Sequence, residues 1–147
     1  MNSLYLEVGA IHGTVLCFKN KPLVYMEDVG RHNAVDKVAG WLFSTKTNPN
    51  DKILYTTGRL TSEMVIKVAQ MNIPTLLSRS GITEMGLSVA KETNVTLLGR
   101  AKGKHFLVYN GKDKIEFDAI PEPRPEGAPD IWKRLNDDRL KRRNLYL

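Results

Sequence analysis

Three short runs of this 147-residue chain set an arginine beside a glycine and polar side chains: EDVGRH at 27–32, TTGRLT at 56–61 and SRSGIT at 78–83. Arg31, Arg59 and Arg79 each offer a planar, permanently charged fork that matches phosphate oxygens. A helix starting beside each arginine adds free N–H groups and partial positive charge. Brought to one rim, the three runs make an anion-binding crevice, with a phosphate or pyrophosphate as its natural guest. Asp28 stands three residues before Arg31 and can pair with it to orient the guanidinium. His32 is either a hydrogen-bonded helix-start residue or a base. His12, between Gly9 and Gly13, sits at a backbone kink as a site residue or as a polar plug in a strand. Plainer roles compete for the same residues. Thr61 or Ser62 with Glu63, and Thr83 with Glu84, have the pattern of helix N-caps followed by first-turn acids. Gly58 and Gly81 can serve turn geometry alone, and Asp36 and Lys37 read as helix-surface residues.

The elements that must gather these runs alternate along the chain. Residues 4–8 and 13–18 read as one long strand or as two separated at Gly9. Lys19-Asn20-Lys21-Pro22 is a turn, and Leu23 to Met26 returns as the hairpin partner. Ala34, Val35, Val38, Ala39 and Leu42 then recur at helical spacing, as do Met64, Val65, Val68 and Ala69 before Asn72. Ile53–Thr57 and Thr75–Ser78 are strands, and Thr83–Thr93 is a third helix. Val95–Leu98 and Phe106–Tyr109 are strands around a turn-rich stretch from Arg100 to His105. Strands alternating with helices imply crossover units and a largely parallel sheet, which the opening hairpin makes mixed. In open α/β sheets, ligands bind beyond the carboxyl ends of the strands. All three arginine runs follow a strand.

The single cysteine, Cys17, excludes an internal disulfide and fits a reducing, cytoplasmic setting. Within Val15-Leu16-Cys17-Phe18 it reads as a small buried hydrophobe rather than an exposed thiolate. Cys17, His12, His32 and His105 lack the short spacing of a structural zinc site. No stretch reaches the roughly 18 apolar residues of a membrane span, and the N-terminus MNSLYLEV has no secretory pattern. The net charge of +6 resembles a nucleic-acid signal but is concentrated at one end. Residues 131–147 carry six lysines and arginines against Asp137 and Asp138, a net +4 that leaves only +2 elsewhere. Basic tails are usually solvated, so nucleic acid is not the expected partner. Residues 1–120 form the expected domain. PEPRPEGAPD at 121–130 is a proline-rich linker, and residues 131–147 are a basic tail or last helix carrying Trp132.

Taken in order, GAIHGTVLCF, EDVGRHNAVDKVAGW and TTGRLTSEMVIKVAQMNIPTLLSRSGITEMGLSVAKETNVTLLGRAKGKHFLVYN resemble the FdhD family of formate dehydrogenase accessory proteins. The resemblance runs from about Gly9 to Asn110. It implies a three-layer α/β/α, cytidine-deaminase-like fold with a mixed sheet. It also implies binding of the bis(molybdopterin guanine dinucleotide) molybdenum cofactor, or a guanine nucleotide, as substrate. Family members relay sulfur from a cysteine desulfurase to that cofactor before it enters formate dehydrogenase, and a homodimer is expected. The family's cofactor-binding segment matches Arg100, Ala101, Lys102, Gly103, Lys104 and His105, with Arg100 where relatives commonly have an aromatic residue. The persulfide-bearing Cys-x-x-Cys loop belongs to a part of the family that this sequence does not contain, and Cys17 lies outside that motif. Two expectations stand side by side: the cofactor-binding portion of a sulfurtransferase, and a guanine-nucleotide-binding or assembly module without sulfur transfer.

Overall fold

A computed structural model describes residues 10–102 and 105–117 of the chain. Its elements are β1 (His12–Phe18), β2 (Lys21–Asp28), α1 (Arg31–Thr45), β3 (Lys52–Thr56), α2 (Ser62–Gln70), β4 (Thr75–Ser78), α3 (Glu84–Glu92), β5 (Thr96–Lys102) and β6 (His105–Asn110). A 3-10 turn at Lys112–Lys114 follows. The expected segments at 4–8 and 121–147 lie outside the described residues. None of the described helices is long and apolar enough to cross a membrane.

The six strands form one mixed sheet in the order β2-β1-β3-β4-β5-β6. Its centre, β3-β4-β5, is parallel, while β1 and β6 pair antiparallel to it and β2 antiparallel to β1. The sheet is therefore α/β and mixed as expected, but its parallel part is only those three strands. Alternation decides which side chains go inward. Leu16 pairs with Leu54, Leu54 with Leu76, and Leu76 with Leu97, a single row across four strands. All four leucines are 0% exposed, and burying each contributes roughly 1.5–3 kcal/mol.

The helices supply the other half of this core. Val35, Val38 and Leu42 of α1, Met64, Val65 and Val68 of α2, and Ala90 of α3 join the same apolar cluster as the leucine row. The topology requires this. The connections β2-α1-β3, β3-α2-β4 and β4-α3-β5 each link parallel strands and each step the same way along the sheet. Crossovers are right-handed, so three steps in one direction place three helices on one face.

The element ends are set locally. Thr83 caps α3, its Oγ1 accepting from the Gly86 N–H at 3.1 Å. Thr61 occupies the corresponding position before α2 but makes no capping hydrogen bond, because its Oγ1 is buried without a partner. After α2, Asn72 turns the chain with a φ of 56°. The stretch expected as a turn from Arg100 differs: β5 continues to Lys102 and β6 begins at His105. Pairing with β6 carries the strand past Gly99 through a register shift between Gly99 and Lys102.

Candidate functional site

One edge of the sheet collects the residues singled out above. Strands β2, β3, β4 and β5 end there, and β1 and β6, running the opposite way, begin there. His12 opens β1, Asp28 closes β2, and Arg31 and His32 open α1. Arg59 follows β3, Arg79 follows β4, and Arg100, Ala101, Lys102 and His105 belong to the β5–β6 hairpin. Gly103 and Lys104 lie outside the described residues. The guanidinium-bearing residues Arg59, Arg79 and Arg100 are exposed, and Arg31 is half-buried. Neighbouring strands lie about 4.8 Å apart, so the exits of β3, β4 and β5 that carry Arg59, Arg79 and Arg100 stand side by side.

Hydroxyls tie the exits to one another. Ser78 Oγ donates to the Gly58 carbonyl at 2.6 Å, and Ser80 Oγ donates to the Thr57 carbonyl at 2.8 Å. The Gly58 N–H donates to Thr56 Oγ1 at 3.2 Å, and the Ser80 N–H to Ser78 Oγ at 2.9 Å. Thr56 and Ser78 are 0% exposed; buried polar groups must be paired, and these pair with loop backbone. Leu60 and Gly81 join the same two loops, the Leu60 N–H donating to the Gly81 carbonyl and the Thr83 N–H to the Leu60 carbonyl, both at 3.0 Å. His12 Nδ1 lies 3.3 Å from Thr57 Oγ1, which also accepts from the Gly13 N–H at 3.1 Å. His12 therefore stitches β1 to the β3 exit.

The Arg31 stem lies across Gly58. A Cβ on Gly58 would come 2.9 Å from Arg31 Cβ and 3.1 Å from its Cδ. Gly58 has no positive φ, so it is needed for close approach rather than for turn geometry. Arg31 Nε is buried without a hydrogen-bond partner, a donor still open to an anion. Arg100 takes a left-handed φ of 54° at the β5 bulge, and its N–H donates to the Ser80 carbonyl at 2.9 Å. Bulges re-aim side chains. Here the guanidinium comes to 3.9 Å from where a Gly81 Cβ would stand.

Asp28 does not pair with Arg31. Its carboxylate accepts from Lys37 Nζ at 2.7 Å, from the Gly30 N–H at 2.9 Å and from Asn33 Nδ2 at 3.1 Å. Lys37 first, then Gly30 and Asn33, hold the Asp28 carboxyl down to about 2. A carboxylate so engaged shapes the start of α1. Lys37 also donates to the Glu27 carbonyl at 2.8 Å, so its expected role as a mere surface residue is incomplete. His32 Nε2 meets Glu63 Oε2 at 3.3 Å, and Lys67 Nζ meets Asp36 at 2.6 Å. These two pairs link α1 to α2.

Chemically, the rim is an array of donors suited to a polyanion. Burial raises the Cys17 thiol, and Cys17 is half-buried on β1. Among the described residues, no group of three or more His, Cys, Asp or Glu could hold a metal ion. Thr57 and Ser78, which help fix the loops, are given no site role by the sequence, whereas Ser80 is one of the polar residues read at its strand exit. The signal available was a hydroxyl residue ending each of β3 and β4 and a second one directly before the glycine that follows.

The model of the FdhD/NarQ family matches residues 1–116. The chain is 35% identical over 121 residues to the sulfur carrier protein FdhD of Wolinella succinogenes, covering 82% of this chain and 42% of that one. It is 32% identical over 116 residues to its Bacillus licheniformis counterpart, covering 79% and 44%. A crystal structure of a candidate formate dehydrogenase accessory protein from Desulfotalea psychrophila superposes with a TM-score of 0.73 at 40% identity, over 77% of this chain and 51% of that one. A weaker overlap, with a TM-score of 0.48 at 13% identity, reaches the dCMP deaminase of cyanophage S-TIM5 over 60% of this chain and 79% of that one. The chain spans under half the length of the curated relatives named here. With that family model matching from the first residue to position 116, the chain belongs to the FdhD/NarQ family.

Proposed function

We propose that the chain is the portion of an FdhD-type accessory protein that binds the guanine dinucleotide end of the bis(molybdopterin guanine dinucleotide) molybdenum cofactor. It does so for that cofactor's sulfuration and delivery to formate dehydrogenase. The observation that carries this reading is the placement of Arg31, Arg59, Arg79, Arg100, Lys102 and His105 at one edge of the sheet. The open Nε of Arg31 fits a phosphate oxygen. The cofactor is cargo here. The exposed arginines and the N-termini of α1, α2 and α3 hold its phosphates, and Arg100, Ala101, Lys102, Gly103, Lys104 and His105 take the base end by family resemblance.

Calorimetry tests this with guanosine diphosphate and an adenosine diphosphate control. Saturable guanosine diphosphate binding is expected. Charge-assisted hydrogen bonds contribute about 1.5–3 kcal/mol each, so each arginine removed should weaken it by about tenfold or more. Changing Arg31, Arg59 and Arg79 together to alanine should abolish binding at micromolar nucleotide. Absence of binding by the unaltered chain at millimolar nucleotide overturns the reading. Equal adenosine diphosphate binding leaves an anion site and removes the guanine assignment.

A second reading, a binding or assembly module without sulfur transfer, is favoured by Cys17. Its half-buried, raised thiol is the reverse of an activated thiolate. Incubated with a cysteine desulfurase and labelled sulfur, this chain should stay unlabelled. A persulfide on Cys17 that disappears in Cys17→Ser would make the chain a sulfurtransferase by itself.

A further inference from the structure

Glu63 is out of place on a rim built for anions. It stands in the first turn of α2, after the loop that carries Arg59, and its side chain is 72% exposed. A carboxylate there repels a phosphate. First-turn acids stabilise helices, which accounts for Glu63 alone but not for what it touches. His32, the second residue of α1, brings Nε2 to 3.3 Å from Glu63 Oε2, and its side chain is 29% exposed. A carboxylate on one ring nitrogen fixes the imidazole and leaves Nδ1 as its other bonding atom.

Other charges near the start of α1 are engaged elsewhere. Asp28 of β2 is held by Lys37, Asp36 by Lys67 of α2, and Glu27 of β2 by Tyr25. His12 of β1 bonds Thr57. Beside His32 stand Arg31 on the same helix and Arg59 in the β3–α2 loop. Arg31 and the N-terminal partial charge of α1 oppose a further positive charge on the ring, whereas Glu63 favours one. Histidine changes charge between about pH 5 and 8. A phosphate arriving beside the ring adds negative charge and tips that balance toward imidazolium.

We propose that His32 contacts the diphosphate of the bound guanine nucleotide and takes up a proton as it does so, with Glu63 as the positioning residue that holds the ring. The inference rests on the nucleotide-binding reading above. The proton comes from the buffer and completes the imidazolium, so that Nε2–H donates to Glu63 and Nδ1–H to a phosphate oxygen. By linkage, nucleotide affinity then rises as pH falls, by at most tenfold per pH unit for one proton.

Calorimetry of the full 147-residue chain with guanosine diphosphate, across pH and in buffers of different ionisation enthalpy, tests it. The nucleotide's own terminal phosphate titrates at about pH 6, and comparison with His32→Gln subtracts it. The affinity of the unaltered chain relative to His32→Gln should rise at least about threefold from about pH 8 to about pH 6, with net proton uptake only in the unaltered chain. Glu63→Gln keeps an acceptor for the ring but removes its charge. It should move this dependence to lower pH, which loss of a merely structural link would not do, and an unmoved profile overturns its role. A relative affinity flat in pH overturns the proposal while leaving nucleotide binding in place, and no binding at any pH overturns both. Histidine-ring NMR gives a second measurement without substitution. At about pH 7, nucleotide should move the His32 ring from its neutral to its imidazolium signature, and an unchanged ring overturns the proposal.

Discussion

Two glycines in helices should respond with opposite sign to the same substitution. Helix propensity alone favours alanine over glycine by about 1 kcal/mol. At Gly40, in the middle of α1, an added Cβ meets nothing within 4 Å. Gly40→Ala should therefore stabilise the chain by about 1 kcal/mol. At Gly86, in the first turn of α3, the added Cβ falls 2.7 Å from the Leu60 carbonyl oxygen and 3.2 Å from the Thr61 carbonyl carbon. Those neighbours are backbone, and the Leu60 carbonyl is held by the Thr83 N–H at 3.0 Å. Overpacking costs typically 1–3 kcal/mol, and loosening that hydrogen bond adds about 1 kcal/mol. The sum outweighs the propensity gain, giving a net loss of about 1–3 kcal/mol. Urea denaturation of both variants at one pH measures the two signs. For a chain of this size, each kcal/mol moves Tm by roughly 4 °C. A Gly86→Ala variant at least as stable as the unaltered chain would refute the inference that the β3–α2 loop is packed directly on α3. Because that loop carries Arg59, the same variant should also weaken nucleotide binding.

Three further outcomes follow from the same geometry. Gly58→Ala drives a Cβ to 2.9 Å from Arg31 Cβ, so it should cost about 1–3 kcal/mol in urea melts and weaken guanosine diphosphate binding in calorimetry. Asp28, lowered from 3.8 to about 2 chiefly by Lys37, contributes stability that is present above pH 3.8 and lost as pH falls toward about 2. The stability gap between the unaltered chain and Asp28→Asn should hold from neutral pH down to that window and close within it, as read by denaturation at a series of pH values. Cys17, raised by burial, should alkylate more slowly in the native chain than in urea at pH 8, as followed by mass spectrometry.

Much of this fold was legible because its strands alternate strongly. Thr75–Ser78 was expected with the bounds observed, and the apolar stripe Ala34, Val35, Val38 and Leu42 is the buried face of α1. The rim was legible because each arginine run follows a strand. Its internal wiring was not. Asp28 and Arg31 are close in sequence, yet the bend at Val29-Gly30 presents the carboxylate to Lys37, nine positions on, whose long side chain reaches back. No periodicity encodes that contact. Arg100 to Lys102 looked like a turn because the residues are charged and glycine-flanked, whereas pairing with β6 made them strand. Thr61 matched a cap by type and place, and its hydroxyl was instead buried by tertiary packing. Local chemistry proposes partners, and the neighbouring element decides among them.

The rim and the one-sided helix layer share one cause. Parallel strands linked by crossovers that all advance the same way must exit on one edge and carry their helices on one side. Strand exits alone account for Arg59 and Arg79. They do not account for His12 and His105, which begin strands; these join the rim because β1 and β6 are antiparallel to the strands they flank. The same one-sidedness puts the half-buried Val15, Tyr55 and Leu77 on the sheet face away from the described helices. Tyr55 lies one residue before Thr56, whose buried hydroxyl receives the Gly58 N–H at the floor of the rim. A change at Tyr55 therefore acts on a strand that ends directly beneath the arginines. Tyr55→Ala should weaken guanosine diphosphate binding in calorimetry, and an unchanged affinity would show that β3 transmits nothing between its face and its end.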